Sequence, residues 1–405
     1  MTAVFKPHEE FKRLDTDPSA GAAEVYSDLL SKCPVARVEV DEVPSEVSMW
    51  GAFGFKELTS VMRNFRGMSS TVRLDTNGNP AIIPLWADPP FHTGYRKALN
   101  PAFPPEVVSR FEGRIRELAS EMTDELLAKG DADFIAEFAN VYPTRILCRF
   151  LGVPESDWPI HLEFVIANDQ ESDGGLTDTS TPVSEEIYGR ITPYILKTIA
   201  DHRENPDDGL VTAFLNAKIG DRPLEEAEIV HLTFAMMLAG HATTTAAISN
   251  MMMRIATDQD LQDLLREDPS RIPDALEECL RIDAPQQALY RKCLKETELG
   301  GETIAEGDIV LTNMGSANVD PTHFESPEKF DIDRPNKTDH LSFGFGVHQC
   351  LGQHLARLDM RIALEELLER TARITVSGPV SRRKYPVYAV TELPLTFTPA
   401  AGQPS

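Results

Sequence analysis

The chain has 405 residues, 41% hydrophobic and 25% charged, a composition of folded globular protein rather than of disordered or membrane-spanning chain. Its 39 Lys and Arg against 64 Asp and Glu leave a net charge of −25, which argues against nucleic acid or an anionic membrane surface as the partner. Five scattered cysteines without a C-x-x-C pair point to a reducing, cytoplasmic compartment, and the polar first ten residues carry no apolar run of a leader or anchor.

In chain order, residues 1–20 are polar, interrupted by Pro7 and Pro18, and read as surface chain. Residues 26–32 and 56–64 read as short helices, and 36–40 and 49–53 as strands. Residues 66–85 are loop-rich around Asn77-Gly78-Asn79-Pro80. In Asp88-Pro89-Pro90-Phe91-His92-Thr93-Gly94-Tyr95-Arg96, Asp88 is a cap and the prolines start a helix. His92 and Arg96 then fall four apart on one face. Residues 107–129 form a long amphipathic helix, and 142–154 a helix stopped by Gly152 and Pro154. Residues 169–184, rich in Asp, Ser, Thr and Gly, read as a mobile loop. Helices follow over 187–203, 210–216 and 224–229. Residues 229–256 are the most hydrophobic long run, but His231, His241, Asn250 and Arg254 make it a buried central helix rather than a membrane span. Two more helices cover 260–267 and 272–281. From Ala288 onward short strands dominate, at 303–304, 308–313, 373–376 and 395–397. The pattern predicts one mainly α domain over residues 1–405 with a smaller β-rich part.

The most informative stretch is Leu341-Ser342-Phe343-Gly344-Phe345-Gly346-Val347-His348-Gln349-Cys350-Leu351-Gly352. Glycines let a turn bend tightly and let a flat cofactor approach the backbone. Cys350 sits just before an amphipathic helix, where backbone N–H groups and the helix dipole favour a thiolate. A thiolate on such a loop is a ligand suited to haem iron. The competing reading, a small buried hydrophobe, does not account for Phe343, Gly346, His348, Cys350, Leu351 and Gly352 standing together as F-x-x-G-x-H-x-C-L-G. This stretch resembles the haem-binding loop of the cytochrome P450 family, and the resemblance extends over most of the chain.

The resemblance implies a P450 fold, with haem b between the central helix and the helix after Cys350. Cys350 would be the axial ligand of the iron, with Phe343 and Gly344 in the loop around it. His92, Arg96, Arg291 and His348 would hold the two haem propionates. Glu278 and Arg281, an E-x-x-R pair, would join Arg334 of Phe330-Asp331-Ile332-Asp333-Arg334-Pro335 in a buried structural charge cluster. The family's oxygen-activating pattern falls on Ala239-Gly240-His241-Ala242-Thr243-Thr244. Gly240 would leave a groove for dioxygen and Thr243 would donate to bound oxygen. Ordinary back-bonding along the helix is the rival reading of the threonines.

Ala242 departs from the family, which carries an acid there to relay protons. Three readings stay open: His241 or ordered water substitutes; the residue is engineered; or the enzyme uses peroxide or needs no proton delivery. Ala235, Leu238, Ala239, Gln287, Val387 and Tyr388 are the expected substrate pocket, suited to a small, mainly hydrophobic molecule with a polar handle. Gln286 and Gln287 facing away from that pocket is an equally open reading. The resemblance implies a soluble, monomeric bacterial monooxygenase fed by an iron–sulfur ferredoxin and its reductase. The ferredoxin would dock near Arg357, Arg361, Arg110 and Arg114. A haem carrier without catalytic activity is the remaining alternative.

Overall fold

The computed structural model describes residues 3–12, 21–39, 48–72, 82–171, 185–383 and 385–402, with side chains left undescribed at 168–187 and at His8. Its axis is one helix, Glu226–Thr257. Sequence reading divides this segment at Ile229, but the helix is continuous. Glu225 caps it and Glu228 returns a bond to the Glu225 backbone N–H at 2.7 Å, a reciprocal box that places acids in the first turn where the dipole favours them. Those acids lower the hydropathy of the first turn and hide the true start. Most of the helix beyond is buried, including Ile229, Phe234, Met251, Met252 and Ile255. Among the described residues no helix is long and apolar enough to cross a membrane.

The helix Gln353–Arg370 buries Leu358, Ile362, Leu364, Leu367 and Leu368 in the same core as the central helix. The expected long helix over 107–129 is broken. A short helix Pro105–Val108 and a tight turn Ser109–Phe111 precede the helix Glu112–Lys129. Phe111 packs edge-on against Phe150 at that turn, ring centroids 5.2 Å apart. Val141–Leu151 ends at Gly152 with φ 87°, a left-handed backbone that glycine adopts without strain.

A six-stranded mixed sheet lies to one side, in the order Val4–Phe5, Val35–Val38, Met49–Ala52, Ile309–Asn313, Ala288–Cys293, Met68–Ser69. Met68–Ser69 is a strand inside the stretch expected to be loop, paired with Lys292 and Cys293. Asn77 to Pro80 lies outside the described residues. A second sheet pairs Thr371–Val376, Pro394–Pro399 and Asp131–Asp133. The helix Trp158–Glu171 extends into the expected loop over 169–184, whose remainder is not described.

That helix is tied to Glu185–Glu204 through a buried histidine. Tyr194 donates its hydroxyl to Asp157 at 2.9 Å, so His161 Nε2, 3.3 Å from the same oxygen, must be the donor in its pair. His161 Nδ1 is buried with no hydrogen-bond partner among the described residues. Burial, only partly countered by Asp157, pushes the imidazole down to about 4. Between its ordinary value and about 4 the unfolded chain takes up a proton that the folded chain refuses, so stability falls as pH falls through this window. The total is on the order of 3 kcal/mol. His161→Phe should flatten the loss of melting temperature between pH 7 and pH 4.5 relative to wild type. Parallel pH profiles for the two proteins would show that the histidine does not titrate this way.

Candidate functional site

Cys350 closes a loop built to present it. Gly344 (φ 70°) and Gly346 (φ 72°) both adopt left-handed backbone, and a Cβ on Gly346 would stand 3.3 Å from the Met62 carbonyl oxygen. Gly346–His348 forms one tight turn, and the Cys350 N–H returns to the Phe343 carbonyl at 2.7 Å. The cysteine side chain keeps an accessible edge. The protein around it pushes the thiol up, against which the Gly352 and Gln353 N–H groups, Arg96 and Arg357 all favour the thiolate.

The loop is fixed from behind by buried charge. Glu278 and Arg281 are both fully buried and paired bidentately, at 2.8 Å for each contact. Arg334 Nε reaches Glu278 at 3.0 Å. Arg281 also donates to the Asn318 carbonyl at 2.8 Å. The Asn318 side chain in turn accepts from Leu341 N–H at 2.6 Å and donates to Ser342 Oγ at 2.8 Å. Thus the E-x-x-R pair, the F-x-x-x-R-P arginine and the start of the cysteine loop form one network.

Beside Cys350 four basic side chains converge. His92 and His348 have ring centroids 4.0 Å apart. Burial, with Arg96 next in effect, lowers His92 to about 4, and burial together with Arg291, His92 and Arg96 drives His348 to about 2. Arg291, brought in by the strand Ala288–Cys293 of the mixed sheet, is lowered to about 10 by burial. Asp88 is the acid that acts on His92 and Arg291. Its carboxylate is already taken by Ser69 Oγ, Ser70 N–H at 2.8 Å and Thr71 Oγ1 at 3.3 Å. Asp88 was expected to cap the helix Phe91–Leu99, but that helix has no side-chain cap; the acid holds residues 69–71 instead. Ser70 Oγ then meets His348 Nε2 at 2.9 Å. His92 Nδ1 is buried without a partner among the described residues. Two arginines beside two histidines that burial keeps uncharged, one of them with an unmet buried nitrogen, fit an anionic group of carboxylate chemistry.

The central helix presents Ala235, Ala239, Ala242, Thr243 and Ala246 on one face, by their spacing of about one or two turns. Ala239 is exposed, Leu238, Gly240, Ala242 and Thr243 are half-buried, and Ala235 is buried. Thr243 Oγ1 donates to the Ala239 carbonyl at 2.9 Å, a back-bond along the helix. A Cβ on Gly240 would touch Leu147 at 3.3 Å. His241, one of the substitutes considered for the missing acid, turns to the other face. It is buried, with Nδ1 2.9 Å from Thr144 Oγ1 of Val141–Leu151.

Two expected pocket residues are placed elsewhere. Gln287 is fully buried, its amide accepting from Tyr26 at 2.8 Å and donating to the Ala284 carbonyl at 2.6 Å. Tyr388 is buried against Arg382 and lines a cleft of about 680 Å³ with Asn250, Arg254 and Asp283, none of which borders Cys350. Val387 packs on Ala246 and stays beside the central helix. The expected docking arginines are also divided. Arg361 is held by Glu112 at 2.9 Å and Glu365 at 2.8 Å, and Arg357 by Glu277, while Arg110 and Arg114 are exposed. Sequence reading gives no site-building role to Glu277 or Ser70, and gives Asp88 only that of a helix cap. The Glu277-Glu278 doublet before the motif arginine was the available signal for the first of them.

The chain is 32% identical to Cytochrome P450 109 of Bacillus spizizenii over 328 residues, 80% of each protein. It belongs to the cytochrome P450 family. The family model described as cytochrome P450 matches residues 182–373. The Mycinamicin IV hydroxylase/epoxidase of Micromonospora griseorubida is 32% identical over 373 residues, 89% of this chain and 90% of that one. The crystal structure of CYP108D1 from Novosphingobium aromaticivorans superposes with a TM-score of 0.85 at 28% identity, covering 99% of this chain and 100% of the other. The protein is a P450 monooxygenase, an enzyme class with a haem-thiolate cofactor.

Glu278 is the acid on which two buried arginines of this P450, Arg281 and Arg334, converge. Glu278→Ala would leave Arg281 and Arg334 without their carboxylate, a loss of about 3–5 kcal/mol. Chemical denaturation of the haem-loaded protein should report a loss of that size; one below about 1 kcal/mol would mean that the network does not carry the fold.

Proposed function

We propose that this P450 hydroxylates a small, mainly hydrophobic substrate, using haem b bound by Cys350 and electrons from a ferredoxin and its reductase. The observation that carries the reading is the joint placement of Cys350 on its glycine loop and of His92, Arg96, Arg291 and His348 beside it. The two arginines and two histidines would take the two propionates, and His92 Nδ1 would gain the partner it lacks among the described residues. Charge-assisted bonds of this kind contribute about 1.5–3 kcal/mol each. Phe343 and Gly344 would shape the loop against the ring.

When bound, the haem supplies dioxygen activation and oxygen transfer to a C–H bond. The chain supplies the rest. Cys350 gives the electron-rich sulfur. Ala235, Leu238, Ala239 and Val387 exclude water from the substrate side. Thr243 keeps its proton on the Ala239 carbonyl at rest and delivers it to the cleft by rotating off that bond. Ala242 offers no proton beside it. The exposed Arg110 and Arg114, near the helix after Cys350, are the cations left for an acidic ferredoxin. We take the protein as one P450 domain, cytoplasmic and monomeric.

A second reading, a peroxide-driven enzyme, is favoured by one observation: Ala242 cannot titrate and His241 is bonded to Thr144 instead. Peroxide already carries both oxygen atoms and both protons, so this route has less need of a relay. A rate on peroxide alone equal to that with NAD(P)H, ferredoxin and reductase would decide for it. On the leading reading, Ala242→Asp should speed the partner-driven rate several-fold with substrate binding intact, and an unchanged or slower rate would count against a missing proton relay. Cys350→Ser should abolish the thiolate-type spectrum of the reduced, carbon-monoxide-treated protein; its survival would assign the ligand elsewhere.

A further inference from the structure

We infer that Glu277 and Arg357 form a charge pair that sets how strongly the Cys350 sulfur donates electrons, making both positioning residues of the cysteine loop. The inference rests on Cys350 being the haem ligand. Glu277 precedes the motif acid Glu278 on the helix Ile272–Ile282, and its carboxylate is largely buried. Arg357 grips it bidentately, Nε at 2.5 Å and Nη2 at 3.0 Å. His340 Nε2 meets the same carboxylate at 3.1 Å. Because the Ser342 N–H donates to His340 Nδ1 at 3.2 Å, the ring proton lies on Nε2 and points at Glu277. His340 is almost wholly buried.

Both groups bound to Glu277 also touch Phe343. The Arg357 guanidinium carbon stands 4.2 Å from the Phe343 ring centroid, a cation–π contact, and the His340 ring is 5.8 Å away, tilted by 43°. Phe343 is the residue whose carbonyl accepts the Cys350 N–H. One carboxylate therefore fixes two side chains that together fix the aromatic residue bracing the cysteine backbone.

The charge matters as well as the shape. Arg357 is one of the two cations that act on the Cys350 sulfur. Glu277 stays ionised despite its burial, because His340 and Arg357 bind it. Its negative charge offsets part of the positive field that Arg357 casts on the sulfur. An arginine free for a partner protein would not be locked in this geometry, so the half-buried Arg357 does not serve as the docking cation that its position on the helix after Cys350 suggests.

The sign of each change follows. Glu277→Gln removes the offset, strengthens the positive field at the sulfur and raises the iron reduction potential. Arg357→Met does the reverse. The double variant restores local neutrality and should lie closer to wild type than either single change. Arg357→Lys keeps the charge but not the bidentate grip, so its potential should stay near wild type. The measurements are the reduction potential, the carbon monoxide spectrum and the haem content of the loaded proteins. Potentials moving oppositely for the two single variants, with the double variant between them, support the pair. Single variants moving the same way, or neither moving, overturn it. So does Arg357→Met weakening ferredoxin affinity while leaving the potential unchanged. If Arg357→Met fails to hold haem, Arg357→Lys set against Glu277→Gln still decides. A wild-type protein without a thiolate-type spectrum would sink the cysteine assignment and this inference together, whereas a normal spectrum with unmoved potentials sinks this inference alone.

Discussion

The structure turns on a carboxylate with no access to water. Glu278 holds Arg281 and Arg334 at 2.8–3.0 Å, and Arg281 passes the constraint to Asn318 and so to Leu341 and Ser342 at the head of the cysteine loop. Ion pairs this deep are costly to desolvate and add little stability over an apolar replacement. Their use is geometric. A charge that has nowhere else to go fixes the helix, the loop before Arg334 and the loop before Cys350 in one arrangement.

A second carboxylate, one residue earlier in the same helix, works beside the first. Glu277 faces His340 and Arg357 rather than Arg281. Adjacent residues of a helix point about 100° apart, so two successive acids can reach two separate parts of one loop. Both networks act on Cys350 through backbone: Glu278 through Leu341 and Ser342, Glu277 through Phe343. The central helix is organised differently. It carries small side chains and Thr243 along one face, and turns His241 and Thr245 into contact with Thr144 and the Ala139 carbonyl.

The cation cluster shows why a buried site can be specific before its ligand arrives. His92, His348 and Arg291 each lose affinity for protons chiefly through burial; neighbouring arginines add to the effect on the two histidines, while Asp88 works against it at Arg291 and at His92. The fold holds the arginines at a cost in hydration and keeps the histidines uncharged. An anion placed among them would offset that cost, which is the physical ground for the propionate site proposed above.

Local pattern was enough for much of this. The cysteine loop, the E-x-x-R pair, the D-P-P-x-H-x-x-x-R helix and the apolar run of the central helix depend on spacing along the chain, and spacing is written in the sequence. Tertiary contacts decided the rest. Asp131–Asp133 is a strand although aspartate disfavours strands, because Pro394–Pro399 lies beside it. Gln287 left the pocket because Tyr26, 261 residues away, takes its amide oxygen. Arg357 looked like a surface charge because its partner Glu277 is 80 residues distant. Sequence alone determined the family and pointed to the residues proposed to carry the chemistry; which polar group each one meets was set by the packing of distant segments, since a hydrogen bond depends on where atoms end up in space and not on their order in the chain.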